Sequence, residues 1–196
     1  MNNVFAYEYK GNLYINLTNQ CTNACDFCIR NMGPGVGGED LWLKDEPTAA
    51  DVISQMEKHK EYGEVVFCGY GEPTIKLDVL LAVAQYAKSM GKKVRINTNG
   101  QAQLYHHREV APMLEGLVDT VSISLNAPDA ASYAKLCHSV YGEKAFEGIL
   151  KFAAECKKYV PNVVLSIVDI IGEEGREKCR RIAEELGVKF RVREYN

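Results

Sequence analysis

The sequence predicts an α/β fold in which a parallel sheet carries helices on its outside, and three observations support that prediction. Six apolar or β-branched runs recur along the 196 residues, at 13–17, 64–68, 93–97, 120–125, 163–168 and 188–193. Segments of helical periodicity separate them, and strands joined by such long connections form right-handed βαβ units and hence a parallel sheet. Polar and glycine-rich clusters follow the strands at 21–28, 69–73, 98–100 and 124–126. Ligands sit at the carboxyl ends of the strands in such sheets, whether open or closed into a barrel, so these clusters are expected to face one cavity.

Composition sets the outer bounds. With 46% apolar and 25% charged residues, the chain is long enough for one well-filled core, and a single domain covering 1–196 is expected. A net charge of −3 provides no overall basic field for nucleic acid or an anionic membrane. No apolar run approaches the ~20 residues of a membrane span, and Met1-Asn2-Asn3-Val4 does not open a signal peptide. A cytoplasmic protein is expected. Seven cysteines, an odd number in a chain of this kind, argue for reduced thiols and metal ligation over a disulfide framework.

Taken in order, the runs 5–9 and 13–17 flank Lys10-Gly11-Asn12 and read as a hairpin. After the cysteines, residues 29–38 form a glycine-rich loop. Gly33, Gly35 and Gly38 formally match GxGxxG, but a proline inside the pattern and the lack of a strand-to-helix context argue against a dinucleotide site. A flexible active-site flap is the better reading. Thr48 and Asp51 have the spacing of a capping box for a helix reaching Tyr62-Gly63, and the pattern from Leu77 to Met90 is a second helix stopped by Gly91. A short helix is expected around 110–114, and His106-His107 fall near its start. Further helices are expected over 129–136, 143–159 and 174–186, the last capped by Gly187, with its charge run from Glu173 to Arg181 as a solvated face.

The chemistry concentrates in Cys21-Thr22-Asn23-Ala24-Cys25-Asp26-Phe27-Cys28. Three thiols are one short of a closed site, because structural zinc and simple iron–sulfur centres usually take four protein ligands. Either a fourth ligand stands far away, with Cys68 the first suspect, or a cluster keeps one iron open. Cys68 ends a buried strand and reads first as core. Cys137, Cys156 and Cys179 are scattered among helices without a CxxC pair, so packing is their default and no second cluster is assigned.

This CxxxCxxC motif, with Phe27 before its last cysteine and a Gly71-Glu72-Pro73 turn after the next strand, resembles the radical S-adenosylmethionine (SAM) superfamily. Tyr70-Gly71-Glu72 stands where that superfamily has GGE. The resemblance implies a partial (β/α)6 barrel, here preceded by a short hairpin. It further implies that Cys21, Cys25 and Cys28 hold one 4Fe-4S cluster whose open iron chelates SAM. Reductive cleavage would then give methionine and a 5'-deoxyadenosyl radical that abstracts hydrogen from an unidentified substrate. Cys28-Ile29-Arg30, the glycine loop leading to Leu41-Trp42-Leu43, and Glu46-Pro47 are similar to the TatD-linked radical SAM proteins, which would make a TatD-like hydrolase a functional neighbour. An electron donor such as flavodoxin or ferredoxin is implied as well.

The residues themselves support matching roles. Three thiolates leave one iron Lewis-acidic. Phe27, Tyr70, Gly71 and Pro73 are expected cofactor contacts, with Tyr70 and Gly71 letting the backbone come close to the ligand, and Glu72 can anchor an ammonium by a charge-assisted hydrogen bond. Ser124 and Asn126 are placed for ribose hydroxyls, with Asn99 as a further candidate. Val168 and Val192 could pack on adenine, and Arg193 or Tyr195 could reach a carboxylate or the substrate. Arg30 and Trp42 either touch substrate or close the cavity, and His106 is a surface or capping residue or a substrate contact. Competing functions are a glycyl-radical-enzyme activating protein acting on a protein partner, and a non-catalytic zinc or iron–sulfur binding module.

Overall fold

A computed structural model of the protein describes residues 3–31, 33 and 35–195. Met32 and Pro34 of the expected flap therefore lie outside the described residues, as do Met1 and Asn2. Among the described residues, seven strands form: β1 (Ala6–Tyr9), β2 (Asn12–Ile15), β3 (Glu64–Phe67), β4 (Lys93–Thr98), β5 (Thr120–Ser124), β6 (Asn162–Val168) and β7 (Lys189–Arg193). Six α-helices accompany them: α1 (Ala49–Met56), α2 (Leu77–Ser89), α3 (Ala102–His106), α4 (Ala130–Cys137), α5 (Lys144–Tyr159) and α6 (Gly172–Leu186). Strand order follows chain order within each of two groups, β1-β2-β3-β4 and β5-β6-β7. β1 is antiparallel to β2, and the registers β2–β3, β3–β4, β5–β6 and β6–β7 are parallel, so the fold is α/β with mostly parallel strands. The chain divides into two compact units, one holding β1 to β4 with α1 and α2, the other holding β5 to β7 with α3 to α6 and the segment Thr22–Asp26.

In the first unit the hairpin closes through Lys10 and Gly11, both at positive φ. This is the signature of a two-residue turn whose twist matches its strands. β3 is buried on both faces at Val65, Val66 and Phe67, as a central parallel strand should be, and α2 packs on it through a stripe that includes Leu80, Val83, Ala84 and Ala87. α1 opens on the expected capping box, Thr48 with Asp51. It does not continue to Tyr62, however, and ends at Met56. Residues 57–61 are Glu-Lys-His-Lys-Glu and offer no apolar face to bury. His59 instead meets Glu8 at 2.8 Å, and Tyr62 lies under the Lys92 ammonium at 4.3 Å.

In the second unit, the register and the two-residue alternation of strands sort β5, β6 and β7 into two faces. Val121, Ile123, Leu165, Ile167, Phe190 and Val192 share one face, and Ser122, Ser124, Ser166, Val168, Arg191 and Arg193 share the other. α5 and α6 pack on these strands, with the Arg180 guanidinium 5.2 Å from the Phe190 ring. α6 buries only Gly175, Cys179 and Ala183 and turns its charged residues outward, as its pattern predicts; it ends at Gly187 in the left-handed region. The expected helix at 110–114 is a 3-10 turn over Ala111–Leu114, and α3 was not anticipated. His106 consequently closes a helix instead of opening one.

Candidate active site

The approach to the cysteines is built in the first unit. Asn16, fully buried directly after β2, donates its amide to the carbonyls of Leu41 at 2.8 Å and Val4 at 3.2 Å. Its Oδ1 has no hydrogen-bond partner and faces Gly69, where an added Cβ would come within 2.1 Å of it. Asn19 pairs with Leu43 through two hydrogen bonds of 2.7 and 3.0 Å, and Glu46 accepts from Thr18, Gln20 and Lys76. The donation from Lys76, then that from Thr18, holds the Glu46 carboxyl below its ordinary range. Residues 18–20 are thus fixed from the side before the chain reaches Cys21.

The turn after β3 meets the same stretch. Glu72 donates its backbone N–H to the Gln20 carbonyl at 2.8 Å, and Gly71 lies so close that a Cβ there would stand 2.3 Å from the Thr18 carbonyl oxygen and 2.5 Å from that of Gln20. The Glu72 side chain is buried, and its Oε1 accepts from the Thr74 N–H and hydroxyl at 3.0 and 2.6 Å, capping the 3-10 turn Pro73–Lys76. Tyr70, in the place of a glycine, is also buried: it clusters with Tyr7 and Leu41, and the Trp42 ring meets it edge-on at 5.1 Å. Trp42 itself is half exposed, and Arg30 reaches the Asn19 carbonyl. Cys68 is only partly buried, contrary to its reading as core, because it stands past the last residue of β3, where its carbonyl accepts from the Tyr7 hydroxyl.

The middle of the cysteine motif is built in the second unit, and sequence reasoning missed its supports. Ala24 and Asp26 donate their N–H groups to the carbonyls of Cys137 and Leu136 at 3.0 and 3.2 Å, and Val140 donates to Thr22 at 2.9 Å. The end of α4 therefore runs alongside Cys25. Asn23 and Gln101 both donate to the Tyr133 hydroxyl, at 2.8 and 2.9 Å, and Gln101 also donates to Asn23. Asn99, proposed for ribose, donates to the Thr22 hydroxyl at 2.8 Å. Burial pushes the Tyr133 phenol well above its ordinary range, so it serves as a neutral hydroxyl. The Cys25 thiol is likewise held protonated, first by a hydrogen bond with Cys137 and then by burial. Replacing Tyr133 with phenylalanine is expected to leave two buried amides a partner short and to cost about 1–3 kcal/mol, read as a lower urea midpoint.

Of the remaining candidates, Ser124, Asn126 and Arg193 come together: the Arg193 Nη2 reaches Asn126 Oδ1 at 3.2 Å and Ser124 Oγ at 3.4 Å. Val168 is buried on the same strand face as Arg193. Val192 is not on that face; alternation turns it toward α6, where it lines a groove with the charged residues of that helix, so it cannot share a ligand with Val168. His106 packs edge-on against Tyr105, and Tyr195 is exposed. Phe27 lies in the turn before Cys28 and is partly buried.

Cys21, Cys25 and Cys28 are all reduced and partly exposed. Among the described residues, no three Cys, His, Asp or Glu side chains gather around a point that would hold a single ion. A 4Fe-4S cluster would be held by cysteine thiolates. Soft thiolate donors suit such a cluster.

The family model of the radical SAM superfamily matches residues 15–186. The chain belongs to the radical SAM superfamily. Membership implies a 4Fe-4S cluster and SAM as cofactors. Among curated relatives, a protein of Thermococcus kodakarensis assigned as a GTP 3',8-cyclase is 27% identical over 164 residues, covering 82% of this chain and 48% of that protein. A protein of Methanocaldococcus jannaschii assigned as a glycyl-radical enzyme activating enzyme is 33% identical over 100 residues, covering 50% of this chain and 39% of that one. The chain thus spans less than half the length of either. Among solved structures, SuiB of Streptococcus suis bound to S-adenosylmethionine shares the fold with a TM-score of 0.67 at 19% identity, over 93% of this chain and 38% of that one. No helix among the described residues of this radical SAM chain is long and apolar enough to cross a membrane.

Proposed function

We propose that this chain is a radical SAM enzyme in which Cys21, Cys25 and Cys28 hold the 4Fe-4S cluster and Glu72 binds the ammonium of SAM. Together the bound cofactors supply one-electron cleavage of SAM to methionine and a 5'-deoxyadenosyl radical, which takes hydrogen from the substrate. The residues of the chain bind, orient and exclude water. Gly71 gives the turn after β3 its close approach, Glu72 offers a buried carboxylate oriented by Thr74, and Ser124 and Asn126 offer ribose partners beside Arg193, with Val168 against the adenine. The observation that carries this reading is the family match spanning the CxxxCxxC motif, with all three cysteines free of disulfides and partly buried.

The relative assigned as an activating enzyme favours a second reading, in which the hydrogen donor is a protein partner. Residues 28–30, 41–43 and 46–47 support the narrower placement among TatD-linked members, with a TatD-like hydrolase as neighbour, flavodoxin or ferredoxin as reductant, and a cytoplasmic location. Metal and sulfide analysis of anaerobically purified protein tests the core of the reading. About four irons and four sulfides per chain are expected; one zinc without iron would identify a zinc module instead.

A further inference from the structure

One face of the last three strands carries positive charge alone. Lys189, Arg191 and Arg193 alternate along β7 and so share the face of Ser122, Ser124 and Ser166. The other residues that the register places there are threonine, asparagine and valine, so among the described residues this face of β5 to β7 holds three cations and no carboxylate. Asp169, directly after β6, gives its side chain to Arg176. The cations of the stripe reach neutral oxygens across the sheet. Lys189 donates to Asn162 Oδ1 at 2.8 Å, Arg191 to Ser122 Oγ at 3.4 Å, and Arg193 to Ser124 Oγ at 3.4 Å and Asn126 Oδ1 at 3.2 Å. The guanidinium bonds are long, since N–H···O bonds centre at about 2.9–3.0 Å. A charged acceptor would hold the same forks at about 2.7–2.9 Å and roughly twice as strongly. Arg191 is exposed and Arg193 partly buried, while Ser122 and Ser166 beside them are buried, so a solute can reach the forks over a row of hydroxyls.

We propose that Arg191 and Arg193 bind an oxyanion of the substrate, a phosphate or a carboxylate. Two residues apart on one strand, their Cα atoms stand about 6.6 Å from each other, and arginine matches either group with paired N–H bonds. The assignment to substrate rests on the reading of Ser124 and Asn126 as ribose partners. On that reading SAM brings a single carboxylate, which goes to the open iron. Arg191 reaches Ser122, two residues before Ser124, so the pair of forks extends past the ribose residues.

Isothermal titration at low ionic strength, on anaerobically reconstituted full chain with and without SAM, tests this with inorganic pyrophosphate and with succinate. At least one probe is expected to bind, and the tighter of the two identifies the kind of anion. Arg191→Gln should weaken that binding about tenfold, the factor that a hydrogen bond to a charged group supplies. Arg191→Lys, which keeps the charge and loses the fork, should fall between. Arg180→Gln, which removes a cation from the opposite side of β7, should leave binding unchanged. Because Arg191 is exposed, its variants should keep the circular dichroism of the parent. Binding of neither probe, or an equal loss in Arg180→Gln, would overturn the proposal. Displacement of the probe by SAM, with a matching loss of SAM affinity in Arg191→Gln, would overturn it too, because the arginines would then serve the carboxylate of SAM. Failure to take up iron would overturn the reading of the site instead, and the same titration on cluster-free chain would still decide whether the arginines bind an anion.

Discussion

Replacement of Cys25 by alanine is expected to leave a folded protein that neither retains a complete cluster nor cleaves SAM. In the proposed site the motif would supply all three thiolate donors, so no spare donor would replace a lost one. Even groups behind a metal ligand are worth 10–100-fold in affinity or activity, so loss of a ligand should cost at least about 100-fold. Folding should survive, because the segment is held by its neighbours: the backbone hydrogen bonds from Ala24 and Asp26 to α4 and the side-chain bonds of Thr22 and Asn23 remain. Iron content, SAM turnover and far-UV circular dichroism measured together separate these effects. A variant that kept its iron and cleaved SAM at the parent rate would remove Cys25 from the site.

Replacement of Gly71 by alanine is expected to have the largest effect among changes that touch no proposed ligand. The added methyl would meet two backbone carbonyl oxygens at 2.3 and 2.5 Å, and neither can rotate away as a side chain would. Overpacking of this kind costs about 1–3 kcal/mol or more. Relief requires the turn to move off residues 18–20, breaking the 2.8 Å bond from the Glu72 N–H to Gln20 and shifting the buried carboxylate with it. A lower urea midpoint together with weaker SAM binding is the expected pair of results. Parent-like stability would mean the turn has room that its geometry denies.

The features legible in the sequence were those decided within a few residues. Lys10-Gly11 sets the hairpin because only a tight turn with positive φ joins strands at that spacing. Thr48 with Asp51, and Gly187 after α6, mark helix ends by bonds that span three or four residues. The cysteine trio and the Gly71-Glu72-Pro73 turn were legible for the same reason. α1 stops at Met56, short of the expected Tyr62-Gly63, because a helix needs an apolar face, and residues 57–61 lack one even though their helix propensity is good. The Tyr133, Gln101 and Cys137 supports were not legible, because Asn23 and Tyr133 lie 110 residues apart. Nothing local distinguishes Cys137 from the packed thiols of Cys156 and Cys179. Asn99 shows how a residue proposed for a ligand can already have a structural task, since its amide is committed to Thr22.

The central claim, that three thiols and a buried glutamate serve SAM cleavage, is tested most directly by one product. Anaerobically reconstituted protein, reduced with dithionite and given SAM, should release 5'-deoxyadenosine and methionine in equal amounts, measured by liquid chromatography with mass detection. Glu72→Gln should lower that yield, and Cys25→Ala should abolish it. An iron-loaded parent protein that formed neither product would contradict the account.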